Sequence, residues 1–346
     1  MKAIFSFLTI CLLSQLHAQK TGVTIMNTGQ PCSIRGMSIP SDEVIWVSGS
    51  NGLVARSTDE GKTWKWMVVK GYEKTDFRDI HAFDSNTAII MGVSNPAYIL
   101  KTTDGGQNWK LVYTKDQTGM FLDAMDFKGQ EGVCVGDPIA VGNAGRKFFF
   151  ILRTHNGGDT WEQEPLYKLP PLSADGEGVF SASGTNIFLL DNPNYEYAFI
   201  SGGMMSNFYL IGRAGKQNKG CQIPINQGIE SAGAFSMATD GKKKFYCIGG
   251  NYKNPIQVYD NFYWTTDEGA SWKSPSLAPP YGYRSCIAII DGEHMVACGV
   301  NGVDISKNAN NWNSVTKEGF NVCMVSPKKK LVFLAGEKGK IGLLKY

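Results

Sequence analysis

Apolar positions along this chain fall in short runs that end in glycine, not in stripes of helical period. Val44-Ile45-Trp46-Val47-Ser48-Gly49 is one such run, and Ala88-Ile89-Ile90-Met91-Gly92 and Gly132-Val133-Cys134-Val135-Gly136 repeat it. Phe245-Tyr246-Cys247-Ile248-Gly249, Met295-Val296-Ala297-Cys298-Gly299 and Val332-Phe333-Leu334-Ala335-Gly336 repeat it again. Runs this short, rich in β-branched and aromatic residues and closed by a turn former, predict strands. A second, more mixed element precedes each run. It reads Ser33-Ile34-Arg35-Gly36-Met37, Phe77-Arg78-Asp79-Ile80-His81, Phe121-Leu122-Asp123-Ala124-Met125, Tyr283-Arg284-Ser285-Cys286-Ile287 and Phe320-Asn321-Val322-Cys323-Met324.

A polar turn with a trailing tryptophan follows the apolar runs. Ser57-Thr58-Asp59-Glu60-Gly61-Lys62-Thr63-Trp64 and Thr265-Thr266-Asp267-Glu268-Gly269-Ala270-Ser271-Trp272 are full copies. Thr102-Thr103-Asp104-Gly105-Gly106-Gln107-Asn108-Trp109 is nearly full, and Thr154-His155-Asn156-Gly157-Gly158-Asp159-Thr160-Trp161 has Asn for Asp. A degraded copy, one residue short, ends at Trp312. The tryptophans stand 45, 52, 111 and 40 residues apart, so one copy has decayed inside the long interval. Three short strands and a tryptophan-bearing fourth, repeating at this spacing, describe the four-stranded blade of a propeller. First elements near residues 35, 77, 121, 177, 231, 283 and 320 predict seven blades in one all-β domain over residues 19–346. The last blade lacks a fourth strand, and Val23-Thr24-Ile25-Met26 is expected to supply it and close the ring.

Physical chemistry assigns the turn motif to structure. Asp hydrogen-bonds backbone N–H groups two residues on, Gly supplies positive φ, and Trp packs between sheets. Asp59, Asp104, Asn156 and Asp267, with Trp64, Trp109, Trp161, Trp272 and Trp312, are therefore read as scaffold, since one active site needs no five copies.

Glycine is abundant at 40 of 346 residues, which suits many tight turns. A net charge of +3 offers no nucleic-acid surface. Lys2 followed by the apolar residues 3–13 and by Leu16-His17-Ala18-Gln19 reads as a signal peptide over residues 1–18, cut near Ala18. The mature chain is expected in the periplasm or outside the cell, as a monomer with no membrane span; Cys11 lacks the setting of a lipidated cysteine. Seven cysteines remain after cleavage, an odd number without CxxC spacing, and several occupy core slots of the repeats. No metal site and no cofactor are expected, because neither Cys/His clusters nor a glycine-rich dinucleotide loop appears.

The turn motifs at residues 57–64, 102–109 and 265–272 resemble the bacterial neuraminidase, or Asp-box, repeat. The fuller unit from Arg35-Gly36 through Val47-Ser48-Gly49-Ser50-Asn51-Gly52 to Ser57 resembles the repeat of photosystem II assembly and stability factors, over most of residues 33–346. The wider propeller superfamily includes sialidases, xyloglucanases, sortilin-type receptors and non-catalytic assembly factors. The resemblance implies the fold; fold alone does not select a function. The sialidase Arg-Ile-Pro segment is not matched, since Ile34-Arg35-Gly36-Met37 stands there with Pro40 displaced, and no Tyr–Glu nucleophile pair is placed.

Propellers bind ligands around the central channel that first strands line. The candidate ligand-binding residues are accordingly Arg35, Arg78, Asp79, Asp123, Asp126, Glu177 and Arg284, the three arginines being able in principle to converge on one carboxylate. Residues 137–146 and 195–220 are candidate rim loops. The favoured function is a non-catalytic exported scaffold that takes a protein or glycan partner at the channel face. The alternative is a sialidase-like glycoside hydrolase using channel carboxylates such as Asp79 and Asp123; an oxidoreductase has no motif in its favour.

Overall fold

The computed structural model describes residues 21–93, 95–141 and 145–346, so the expected signal peptide lies outside the described residues. Seven small antiparallel sheets form the blades of a propeller ring. Blade one is Ile34–Ser38, Ile45–Gly49, Leu53–Ser57 and Lys65–Val68, from the channel outward; blade two is Phe77–Ala82, Ala88–Gly92, Ala97–Thr102 and Lys110–Lys115. Blade three is Leu122–Lys128, Glu131–Val141, Arg146–Thr154 and Glu162–Gln163. Blade four is Ile187–Leu189, Tyr195–Ile200, Asn207–Gly212 and Lys219–Gln222. Blade five runs from Ala232–Thr239 through Phe245–Asn251 to Phe262–Thr265, and blade six is Cys286–Asp291, His294–Gly299, Gly302–Ser306 and Trp312–Thr316. In blade seven the last three strands of the chain, Val322–Val325, Val332–Ala335 and Ile341–Lys345, are completed by Gly22–Asn27 as the outer strand. That pairing runs from Gly22 opposite Lys345 to Asn27 opposite Ile341 and closes the ring.

Helix is confined, among the described residues, to the single 3-10 turns Leu166–Lys168 and Glu337–Gly339, and no helix is long and apolar enough to cross a membrane. The apolar runs are the second strands of the blades, and Ile45–Gly49 and Ala88–Gly92 are buried along their whole length. Fully buried strands of this kind need apolar residues on both faces, which is why the runs do not alternate.

The turn motif follows the third strand in blades one, two, three, five and six; it leads to a fourth strand in four of them, and in blade five to a single bridge that sets Lys273 opposite Trp264. In blade one Asp59 Oδ1 accepts the Thr63 N–H at 2.9 Å, Asp59 Oδ2 accepts the Thr63 hydroxyl at 2.6 Å, and the Gly61 N–H reaches Ser57 Oγ at 2.9 Å. The reach is four residues, not the two expected for a simple Asx turn. Hydrogen bonds hold the Asp59 and Asp104 carboxyls down at about 2, and hold Asp267 low as well. The tryptophans wedge blade against blade. Trp109 meets Trp46 of blade one edge-on at 6.5 Å, Trp272 meets Phe208 of blade four at 5.7 Å, and Trp312 meets Phe262 of blade five at 5.1 Å. Blade four has lost the motif, and its corresponding turn is tied instead by Asn218 Oδ1, which accepts the Gly212 N–H at 3.0 Å.

Two expectations shift. The first element near residue 177 is not the inner strand of blade four, which lies at Ile187–Leu189. Residues 195–220 are not a rim loop but supply strands of that blade. The insertion instead precedes it: Glu177–Gly178 pairs with Gly202–Gly203, and Gly202 pairs onward with Gly233 of blade five. The cysteines are free thiols among the described residues; all but the half-buried Cys221 sit in the core.

Candidate functional site

Four inner strands carry the same irregularity at the same slot. The register with the second strand slips between Ile34 and Gly36, between Phe77 and Asp79, between Leu122 and Ala124, and between Ala234 and Ser236. The extra residues are Arg35, Arg78, Asp123 and Phe235, and a bulge of this kind turns the unpaired side chain out of the ladder. The residue opposite each slip is the glycine that ends an apolar run: Gly49, Gly92, Gly136 and Gly249. At Gly49 a Cβ would stand 2.5 Å from the Ser33 carbonyl oxygen, at Gly136 2.3 Å from that of Phe121, and at Gly249 1.9 Å from that of Gly233. At these three positions the run-ending glycine admits the backbone entering the bulge; at Gly92 a Cβ would instead meet the Thr75 side chain, at 2.7 Å.

All four bulge residues line one cavity of about 480 Å³. It opens on the face where inner strands begin and where second strands turn into third strands, opposite the tryptophan motifs. Its floor is the insertion. Residues 178–185 cross the channel and bind several blades: the Val179 N–H reaches Asp137 Oδ1 of blade three (2.9 Å), and Ser181 Oγ takes Arg78 Nη1 of blade two (3.2 Å). Thr185 Oγ1 meets Ser236 Oγ of blade five at 2.6 Å, and the Ser183 hydroxyl donates to the Ser285 carbonyl beside blade six at 2.8 Å. Gly184, at φ +69°, passes against Asp79, where a Cβ would stand 2.2 Å from the carboxylate.

One wall of the cavity is cationic. Arg78 is held by Asp76 at 2.7 Å and lies over the Phe121 ring at 6.0 Å. The Arg35 guanidinium has no hydrogen-bond or ion-pair partner among the described residues; burial, and then the Arg78 charge, pull its pKa down. The opposite wall is aromatic: Phe180 and Phe235 stack with centroids 3.8 Å apart and planes at 6°, and Tyr283 meets Phe235 edge-on at 4.8 Å. Between them lies Asp123, fully buried, with neither carboxyl oxygen hydrogen-bonded. Burial, then the Asp137 charge, raise its pKa well above the carboxylate range, while the Arg78 charge and the nearby Ser181 and Asp137 N–H groups act in the opposite direction.

Of the seven sequence candidates, Arg35, Arg78 and Asp123 share this cavity. Asp79 is buried beneath the strap; its oxygens take the Ile80 N–H (2.8 Å) and the Met125 N–H (2.7 Å), tying blade two to blade three. Glu177 is buried in the insertion, where Oε1 accepts from Ser201 (2.5 Å), Asn207 (2.8 Å) and Tyr209 (2.8 Å). Arg284 does not join the other arginines. It is fully buried, with Nε donating to Asp304 Oδ2 at 2.9 Å and Nη1 to Asn301 Oδ1 at 2.6 Å.

Asp126 sits at the far end of the channel with Asp79 and His81, its Oδ2 accepting the Leu189 N–H at 2.7 Å. Burial raises its carboxyl to about 6 and lowers His81 to about 4. A carboxyl raised above its unfolded value stabilises the fold below the unfolded pKa, and that contribution is lost as pH rises through about 6. Asp126→Asn, which keeps an acceptor for Leu189 without the charge, is therefore expected to gain about 1–3 kcal/mol at pH 7 and nothing below about pH 4. Urea denaturation at the two pH values reads the difference.

Phe235, Phe180, Tyr252 and Tyr283 were not singled out from the sequence. Phe235 had a legible signal, since it occupies the slot opposite Gly249; Phe180 had none, because the strap has no counterpart in the other repeats.

Residues 66–179 match the sequence model of the family described as photosynthesis system II assembly factor YCF48. The chain is 25% identical over 176 residues to the photosystem II assembly lipoprotein Ycf48 of Synechococcus sp. (strain CC9902). That match takes in 49% of this chain and 43% of the relative, so it spans less than half of the relative's length. Among solved structures, YCF48 bound to D1 peptide superposes with a TM-score of 0.63 at 17% identity, over 96% of both chains. YCF48 from Cyanidioschyzon merolae gives 0.62 at 16% identity, over 93% of this chain and 98% of that one. The GH74 xyloglucanase from Xanthomonas campestris gives 0.62 at 11% identity, over 93% of this chain but 53% of the enzyme. At these identities the structural likenesses establish the fold and nothing more.

Proposed function

Starting from a BNR-type propeller similar to the photosystem II assembly factors, we propose that this chain is a non-catalytic, exported binding protein that takes a segment of a partner protein at its channel mouth. The observation that carries the reading is Arg35, a guanidinium half-buried in a preformed cavity with no partner of its own among the described residues. Guanidinium is the side chain best matched to a carboxylate, and a desolvated one gains most from meeting it. A relative seen with a bound peptide supports a protein ligand over a glycan. Export rests on residues 1–18, and cleavage near Ala18 would leave the closing strand, which begins at Gly22, intact.

Arg35→Glu is expected to weaken partner capture by about a hundredfold, the scale of replacing one member of a desolvated charge pair. The mature chain and the variant, immobilised side by side, are tested against the exported protein fraction of the source cells and a glycan array. Equal retention of the same partner by both would refute the assignment.

The hydrolase reading finds its carboxylates in this cavity in Asp123, Asp137 and Glu230, because Asp79 is engaged beneath the strap; Asp137 Oδ1 already holds the Val179 N–H, and Glu230 is exposed at the mouth. Turnover of a chromogenic glycoside that disappears in Asp123→Asn would favour it.

A further inference from the structure

Large exposed apolar side chains gather on one side of the cavity mouth. Met204, Ile256 and Val300 stand at the turns between second and third strands of blades four, five and six, at 40%, 67% and 53% exposure. Ile229 and Tyr281 stand in the connections that enter the inner strands of blades five and six, and both are exposed. Every one of these positions lies at the end of its blade where Arg35 and Arg78 lie on blades one and two. Tyr252, next to Phe235 at 6.1 Å, and Val300 continue this crescent down to the Phe180–Phe235 stack inside the cavity. Exposed apolar side chains gathered at one end of three neighbouring blades and leading into a pocket mark an interaction surface, unlike apolar residues scattered singly. The mouth is therefore two-sided: cationic on blades one and two, and mainly apolar on blades four to six, where the exposed Glu230 at the entry to blade five is the one carboxylate in the lining, with the buried Asp123 between the two sides.

Resting on the peptide-binding reading above, we propose that the mouth recognises an extended peptide in which a carboxylate side chain is followed directly by large apolar residues. The carboxylate meets Arg35. The apolar side chains cross the mouth to the Phe180–Phe235 wall, covered by Tyr252, Ile256 and Val300. The alternation of an extended chain sets the order: successive side chains point to opposite sides, about 3.3 Å apart along the chain, so a carboxylate and the residue after it face opposite walls.

Three fluorescein-labelled nonapeptides test this by anisotropy against the mature chain: Gly-Ser-Gly-Asp-Leu-Phe-Gly-Ser-Gly, the same peptide with Asn for Asp, and the same peptide with Ser-Ser for Leu-Phe. The first is expected to bind at least about tenfold tighter than either of the others. The double variant Tyr252→Ser with Ile256→Ser, at two exposed positions, is expected to bring the first peptide down to the affinity of the Ser-Ser peptide and to leave that one unchanged. Equal binding of the Leu-Phe and Ser-Ser peptides, with Arg35→Glu weakening both, overturns the apolar wall and leaves the carboxylate site standing. Binding that Arg35→Glu does not alter overturns the reading beneath it as well. No binding of any peptide, while a natural partner is still captured through Arg35, overturns this proposal alone.

Discussion

Arg284→Met is expected to cost about 3–5 kcal/mol of stability, one of the two largest effects of any change considered, although the residue sits a few positions from the channel. Its guanidinium and the Asp304 carboxylate are both out of water, with Nη2 and Oδ2 2.7 Å apart. Asp304 Oδ2 also accepts the Tyr281 N–H at 2.8 Å, and Arg284 Nη1 donates to the Tyr283 carbonyl at 2.9 Å, so the pair knits the entry to blade six onto its third strand. Methionine replaces the stem and leaves a buried carboxylate with no cation. The Asp304 pKa, already raised by burial, then rises further. The folded form prefers the proton, so the loss should be greatest at neutral pH and shrink as pH falls toward the unfolded carboxyl value near 3.9. Replacing Asp304 with leucine in the same chain should recover most of the loss, because a packed apolar pair is about as good as a buried ion pair. Denaturant titrations of the single and double variants at pH 7 and pH 4.5 separate charge from packing. A uniform loss across pH would assign the effect to packing alone.

Removing residues 1–28 is expected to abolish the monomeric native state. The deletion takes away the whole outer strand of blade seven and the Val23 and Met26 side chains that pack on its core. Each ladder hydrogen bond contributes about 1 kcal/mol, and the apolar contacts add about 25 cal/mol per Å². Together these approach the total stability of an ordinary domain. The bared strand Ile341–Lys345 becomes an open edge, prone to pair with other chains. Size exclusion should show aggregates, and a synthetic peptide of residues 19–29 added during refolding should restore the monomer by strand addition. A truncated chain that stays monomeric and unfolds cooperatively at the wild-type denaturant midpoint would refute the role given to this closure.

The blades were legible because their determinants are local. A tryptophan-ended turn and a glycine-ended apolar run each carry their own geometry, and Val23 to Met26 matched the one gap left in the count. Half of the cavity was legible for the same reason: Arg35, Arg78 and Asp123 stand at a fixed offset in a repeated element. What failed was non-local. Arg284 falls in the same element, but its fate is decided by Asp304, twenty residues on and in another strand. Asp79 differs from its bulged neighbour Arg78 by one place in the ladder, and one place decides between the cavity and the seam between blades. Glu177 looked like part of an inner strand because residues 170–186 have no repeat partner against which to be aligned. Only the folded ring shows that this stretch is a strap.

The four bulges divide labour within the repeat. An unpaired residue owes nothing to the ladder, so its identity can change while the strands, the glycine opposite and the wedge of tryptophans stay as they are. Arginine, arginine, aspartate and phenylalanine occupy structurally equivalent seats around a common floor. Such an arrangement lets a lineage retool what the ring grips by drift at a handful of seats, without renegotiating the foldability of the wheel that presents them.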